Sequence, residues 1–279
     1  MKKKIYLIMI YYICFLNFAF SQNIKYGFAY NYPSEYGSII INENSYLMKF
    51  LDGKEGIKTE NYKSRITENN SFRWLENDEK SNEKYIILTC SVKDLNFLTL
   101  VCSRNASNNY FKNWEIYYNY CEDYGKYKSS PWLRSFNVKK AESFLIEKQR
   151  DGRELKYLPN FTTISSIPWA IKGDSDKKIV YLKSDSSMFY NTIVIANGFI
   201  CFEKPYLYQQ NSRAKKIRIS WDDNKKDFDL QDTPNFQTLI LSESNEYYDG
   251  DIQLEILEVY EGTKYSDVVI SGVYYIECK

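Results

Sequence analysis

Apolar and polar residues alternate along this chain in short runs, and turn-forming residues separate the runs at roughly eight- to fifteen-residue intervals, a spacing that indicates antiparallel β structure. The segment SIIINENSYLMKFLDGKEG predicts a hairpin, with Ile39–Ile41 as one strand, a turn at Asn42–Asn44, and Tyr46–Leu51 closing on Asp52-Gly53. KYIILTCSVKDLNFLTLVCSRN predicts a second hairpin, Tyr85–Cys90 and Phe97–Cys102 around a Lys93-Asp94 turn, and YFKNWEIYYNYCEDYG adds a further strand before Gly125. No helical period intervenes, so residues 22–125 read as a small antiparallel β domain, a meander or a barrel. No repeat of fixed period is present.

The run GKYKSSPWL (Gly125–Leu133) is polar, contains a proline and offers few core residues. A linker is therefore expected over 126–135, followed by a second domain at 136–279. FNVKKAESFLIEKQRDG fits either a helix with Ala141, Phe144 and Leu145 on one face or an extended segment. Six strands follow, in IVYLKS, NTIVIANGF, KKIRISWD, FQTLILSES, DIQLEILEVYEG and YSDVVISGVYYIEC. Ile252, Leu254 and Ile256 alternate with Gln253 and Glu255, the pattern of a strand with one wet face. The phase breaks at Leu257, where a β-bulge would restore it.

Composition narrows the chemistry. The chain has 279 residues with 27 Tyr, 16 Phe and 5 Trp, an aromatic load suited to half-buried sheet faces and to binding surfaces. It has no histidine, which removes Ser-His-Asp and Cys-His catalysis and His-ligated metal sites. No glycine-rich phosphate loop is present, and the acidic clusters WDDNKKDFDLQD and DGD lack calcium-loop spacing and read as turns. No catalytic residue, metal ligand or cofactor is assigned.

Residues 1–21 have the form of a signal peptide: Lys2–Lys4, an apolar run from Ile5 to Leu16, and Ala19-Phe20-Ser21 before Gln22. The expected mature protein is exported (periplasmic, cell-surface or secreted), with no membrane span after cleavage. Loss of the three lysines takes the formal charge from +1 to −2 (1 − 3 = −2), a balance that does not favour nucleic acid. The mature cysteines are Cys90, Cys102, Cys121, Cys201 and Cys278; their odd number leaves at least one free or paired between chains. Cys90, Cys102 and Cys121 are the pool for structural bridges, and Cys201 and Cys278 suit buried positions.

The C-terminal half, Phe136 to Lys279, contains AESFLIE, KYLPN, IPWAIKG, IVIANGF, LYQQNSRAKKIRI, FDLQDTPNFQTLIL and IQLEILEVYEGTKYSDVVIS in that order. It resembles the bacterial NADase-type glycan-binding domain, a discoidin-like relative of the galactose-binding jelly roll. The resemblance implies a mainly β chain, with a jelly-roll (galactose-binding-like) β-sandwich at residues 136–279 preceded by the small β domain. It departs from the family where DSDKKIV (Asp174–Val180) replaces a Gly-Ile-Gly-Glu segment and where Val268 stands for a threonine. The implied partner is a glycan or glycoconjugate.

Between Asn197 and Ile219 the chain concentrates aromatics and cations. Trp169, Asn197, Tyr206, Tyr208, Asn211 and Arg213 are the candidate glycan-binding residues: an amide beside a guanidinium offers donors and acceptors to sugar hydroxyls, and aromatic faces cover a pyranose. The same residues admit a structural reading, in which Arg213 pairs with Asp232 or Asp267, Asn211 caps a turn, and Trp169 anchors packing. Lys264, Tyr265 and Asp267 read as a lock on the turn before the last strand. Two other function classes fit the sequence. One is an NAD glycohydrolase or glycosidase with its active site in the N-terminal half, with Glu76, Asp78 and Glu79 as carboxylates. The other is a structural envelope or protein-interaction subunit.

Overall fold

The computed structural model describes residues 24–30, 35–41, 46–52, 56–60, 64–69, 71–77, 84–92, 95–102, 116–119, 133–161, 167–184, 189–242 and 246–278, with side chains in the N-terminal half described only at 67–68, 71–74 and 86–89. The expected signal peptide (1–21), Cys121, Asp78 and Glu79 lie outside the described residues. So do the side chains of Glu76, Cys90, Cys102 and Cys278.

The N-terminal half forms nine strands: β1 (Ile24–Tyr30), β2 (Glu35–Ile41), β3 (Tyr46–Asp52), β4 (Gly56–Glu60), β5 (Ser64–Asn69), β6 (Phe72–Asn77), β7 (Lys84–Val92), β8 (Leu95–Cys102) and β9 (Ile116–Asn119). They make one antiparallel sheet in the order β4-β3-β2-β1-β9-β8-β7-β6-β5. Both predicted hairpins are present, closed by Ile41 opposite Tyr46 and Val92 opposite Leu95. The edge strands β4 and β5 are consecutive in the chain, and β3 approaches β5, so the sheet curls back on itself. Such curling shortens the open edges that a nine-stranded meander would otherwise present.

The C-terminal half comprises β10 (Leu133–Ser135), β11 (Asn137–Ala141), β12 (Ile146–Lys148), β13 (Glu154–Lys156), β14 (Trp169–Ile171), β15 (Ile179–Lys183), β16 (Phe189–Asn197), helical turn α1 (Leu207–Gln210), β17 (Ser212–Trp221), β18 (Asn224–Asp229), β19 (Gln237–Ile240), β20 (Asp251–Tyr260) and β21 (Val268–Cys278). The main sheet runs β11-β15-β20-β17-β21-β16-β19, with β10 and β14 added on β21 and β18 on β17. Its two ends fold over one core as a β-sandwich, joined where β17 and β21 run parallel for two residues, Ser212 beside Val268 and Arg213 beside Val269. The segment after Phe136 is extended, not helical. In the acidic stretch WDDNKKDFDLQD only Asp222-Asp223 form the expected turn, with Asp222 at φ 47°; Asn224–Asp229 are instead strand β18, paired antiparallel with β17.

The expected bulge is at Leu257. Ala214 faces Val259, Lys216 faces Glu258 and Ile217 faces Ile256, so Lys215 on β17 and Leu257 on β20 are each left out of the ladder. One bulge on each strand restores the register, and Ile252, Leu254 and Ile256 all point inward.

β16 and β21 carry apolar residues on both faces. Ile193, Ile195, Val273 and Tyr275 enter the sandwich core. Their alternates Val194, Ala196, Tyr274 and Ile276 enter a second core, which also contains Phe72 and Trp74 of β6 and Ile86 and Leu88 of β7. Trp74 is paired with Ile86, which places these four side chains on one face of the N-terminal sheet. Across this seam the Thr89 amide donates to Asn235 Oδ1 (3.3 Å) and Gln209 Nε2 to Ser71 Oγ (2.8 Å).

This shared core bears on the expected division into two units. The last three residues of the expected linker, 133–135, are strand β10 paired with β21, so cleavage is expected within 126–132. After limited proteolysis the two fragments should co-elute in size-exclusion chromatography, because separation exposes the apolar face of β16 and β21. Fragments that part without denaturant would show that the seam contributes little.

Candidate functional site

Ala196-Asn197-Gly198 ends β16 and turns the chain into the loop that leads to α1. Gly198 has φ +84°, and a Cβ there would lie 2.6 Å from the Tyr208 ring and 2.8 Å from Arg213 Cγ. Glycine is therefore needed for both backbone and space. The Asn197 side chain is fully buried and acts as a strand surrogate for Ala214, donating from Nδ2 to its carbonyl (2.8 Å) and accepting from its amide at Oδ1 (3.1 Å).

Arg213 is 6% exposed. It donates Nε to Asp232 Oδ1 (2.9 Å) and one Nη to Asp232 Oδ2 (2.5 Å), while the other Nη reaches the carbonyls of Asn211 (2.9 Å) and Glu261 (3.3 Å). The Tyr208 ring lies 5.4 Å from the guanidinium and its hydroxyl donates to Asp232 (3.2 Å). Trp169 is 1% exposed, inside the sandwich core, with Nε1 donating to the Ser143 carbonyl (3.1 Å). The burial and bonds of Trp169 and Arg213 follow the structural reading of the sequence, with Arg213 paired to Asp232 rather than Asp267, and Asn197 and Tyr208 are likewise buried within the fold.

Asn211 also follows that reading, 6% exposed and capping the end of α1, but it and Tyr206 line a cleft of about 320 Å³ that opens beside α1. Tyr206 is 45% exposed at its rim. Asn211 ends α1, with its amide and Nδ2 both donating to the Leu207 carbonyl (3.1 and 2.9 Å). Asn211 Nδ2 turns back onto α1 and the Arg213 guanidinium is held by Asp232 and two carbonyls, so the two side chains do not form a shared fork. The remaining wall comes from four places: Phe199, Lys204, Leu207 and Gln210 on the loop; Leu145, Glu147 and Tyr157 on or beside the β12–β13 hairpin; Ala170 on β14; and Lys264, Tyr265 and Asp267 before β21.

That last segment is zipped onto α1. The amides of Thr263, Lys264 and Tyr265 donate to the carbonyls of Gln209 and Gln210 at 2.8–3.1 Å, and the Ser212 amide donates to Asp267 O at 2.9 Å. Gly262 makes the approach possible, since a Cβ there would lie 2.4 Å from the Gln210 oxygen. The expected lock is thus a backbone device. Lys264 Nζ sits 5.0 Å from the Tyr265 ring centre, and its hydrogen bond to that residue raises its pKa.

The cleft mixes both charges with aromatics. Burial, then the nearby Glu147 carboxylate, raises the Asp267 pKa. Burial and the hydrogen bond from its hydroxyl to Glu147 (2.8 Å) raise the pKa of the Tyr157 phenol. A raised carboxyl pKa means that Asp267 charge opposes folding above its folded pKa and ceases to do so as pH falls below it. Hydroxyl donors from a ligand would favour the ionised form. Among the described residues no group of three His, Cys, Asp or Glu is placed to hold a metal.

Residues 170–276 match the family model described as the NAD glycohydrolase translocation F5/8 type C domain. No curated protein matches the chain. The matched residues lie in the C-terminal half, whose β-sandwich is similar to a discoidin-like F5/8 type C domain. The matched stretch contains the loop, α1 and the segment before β21, but not the β12–β13 hairpin, so it supplies most of the cleft and the preceding hairpin completes it. Glu147, Tyr157, Lys204 and Tyr265 were not among the candidate site residues. The flanking text AESFLIE and KYLPN held the only signal for the first two, because nothing local shows that the hairpin meets α1.

Two predictions test this placement. Arg213→Ala should destabilise the protein by about 3 kcal/mol, the low end for a broken buried pair because Asp232 is 39% exposed, and lower Tm by roughly 6–12 °C. An unchanged Tm would return Arg213 to the ligand-binding candidates. Cys201 is 5% exposed and described as free, and burial pushes its thiol up to about 11. Only about 0.1% is thiolate at pH 8 on that value, so peptide mapping after iodoacetamide should find Cys201 unlabelled in the native protein and labelled in denaturant.

Proposed function

We propose that this is an exported, non-catalytic carbohydrate-binding protein whose glycan occupies the cleft between α1, the β12–β13 hairpin and the segment before β21. The observation that carries the proposal is the cleft's composition. Two exposed tyrosines, Tyr206 and Tyr265 (45% and 38%), stand at a pocket that also holds Asn211, Glu147 and Asp267. Aromatic faces cover the apolar side of a sugar ring, and carboxylates and amides accept and donate to its hydroxyls. About 320 Å³ is at the small end of ligand pockets and suits one or two sugar rings. The F5/8 type C match supports a carbohydrate ligand, and the sequence of residues 1–21 supports export.

Binding of the full chain to a glycan array tests the proposal. Tyr206→Ala and Tyr265→Ala should each weaken the array signal roughly three- to tenfold, the worth of one aromatic contact of about 0.5–1.5 kcal/mol. Both should leave Tm within about 2 °C, since neither side chain is buried. An array without signal would overturn the reading, and a melting shift with NAD instead would favour the NAD glycohydrolase alternative.

A further inference from the structure

The loop 198–211 has two sides. Phe199, Lys204, Tyr206, Leu207, Gln210 and Asn211 face the cleft, and Ile200, Phe202, Tyr208 and Gln209 meet the N-terminal sheet. Phe202 lies edge-on to Trp74 with ring centres 5.3 Å apart, and Tyr208 edge-on to Phe72 at 5.5 Å. Gln209 Nε2 donates to Ser71 Oγ at 2.8 Å. Ser71 holds a left-handed φ of 69° just before β6, so the β5–β6 turn presents Ser71 and Phe72 to α1.

We propose that the N-terminal sheet is a positioning unit for the cleft, with Ser71 and Phe72 holding α1 in the register that places Tyr206, Asn211 and, through the zipped backbone, Lys264 and Tyr265. The proposal deepens the reading of this cleft as the ligand site and gives the N-terminal half a role. The chain of contacts is short and continuous. Phe72 covers Tyr208, whose hydroxyl bonds Asp232 beside Arg213. Gln209 bonds Ser71 with its side chain and accepts the Thr263 amide with its carbonyl (3.0 Å). Gln210, the next residue, accepts from Lys264 and Tyr265 (3.1 and 2.8 Å). α1 has only four residues and no side-chain cap at its N-terminus. So short a turn is not stable by itself and takes its geometry from what is packed on it.

Hydrogen exchange read by mass spectrometry on the full chain tests this without any ligand, so a failed glycan reading leaves the test intact. Phe72→Ala should speed exchange of the amides of 208–211 and 263–265 by about tenfold while β17, β20 and the core of β16 keep their rates, the sign of a local opening. Gln209→Ala, which removes the bond to Ser71 and no buried apolar surface, should speed the same two segments by a few-fold. It decides the matter if Phe72→Ala does not fold. Unchanged exchange in these segments overturns the proposal, as does an even acceleration across the whole sandwich, which would make Phe72 a stability residue only.

Discussion

β16 and β21 lie side by side with apolar side chains on both faces, and the rest of the molecule is arranged around covering them. A strand with one wet face can end a domain; a pair with two dry faces cannot. The inner faces close the sandwich core around Ile193, Ile195, Val273 and Tyr275. The outer faces, with Val194, Ala196, Tyr274 and Ile276, require a second layer, and the β6–β7 face of the N-terminal sheet supplies it. At about 25 cal/mol per Å² of apolar surface, uncovering several large side chains is costly enough to make the two halves thermodynamically interdependent.

The turn at Asn197-Gly198 lies where β16 hands the chain to the cleft-lining loop, and buried polar groups fix it. Asn197 completes the hydrogen bonding of Ala214, and Arg213 is held by the Asp232 carboxylate and two backbone carbonyls. A guanidinium so fully engaged organises the loop from beneath and has little left to offer a ligand. The side chains that meet solvent in the cleft, Tyr206, Lys264 and Tyr265, stand on this framework. Their placement depends on α1 and the backbone zipper more than on their own packing.

Much of the fold was legible in the residues themselves. Period-two alternation and turn chemistry located both N-terminal hairpins and the six main strands of the C-terminal half, and the lost phase after Ile256 located the bulge at Leu257. These signals are local, because a strand's side chains report which of its own faces is wet. The short strands β10 and β14 were not visible, being three residues each and defined only by pairing with β21. The aromatic and cationic run at 197–219 spans the connection from β16 into β17. Its residues could not be divided locally into scaffold and surface.

By itself, then, the sequence determined the β character of the chain, the order of its strands, the exclusion of histidine chemistry and the resemblance of its C-terminal half to a glycan-binding module. Tertiary structure decided which aromatics are buried, that Arg213 belongs to Asp232, and that Glu147, Tyr157 and Tyr265 meet Asn211 across one cleft. It also decided that Phe72 and Trp74 pack on the far side of the same loop. The reason is physical. Alternation along a strand is a property of neighbouring residues, whereas Ser71 and Gln209, 138 positions apart, acquire a relation only when two sheets bury a common face.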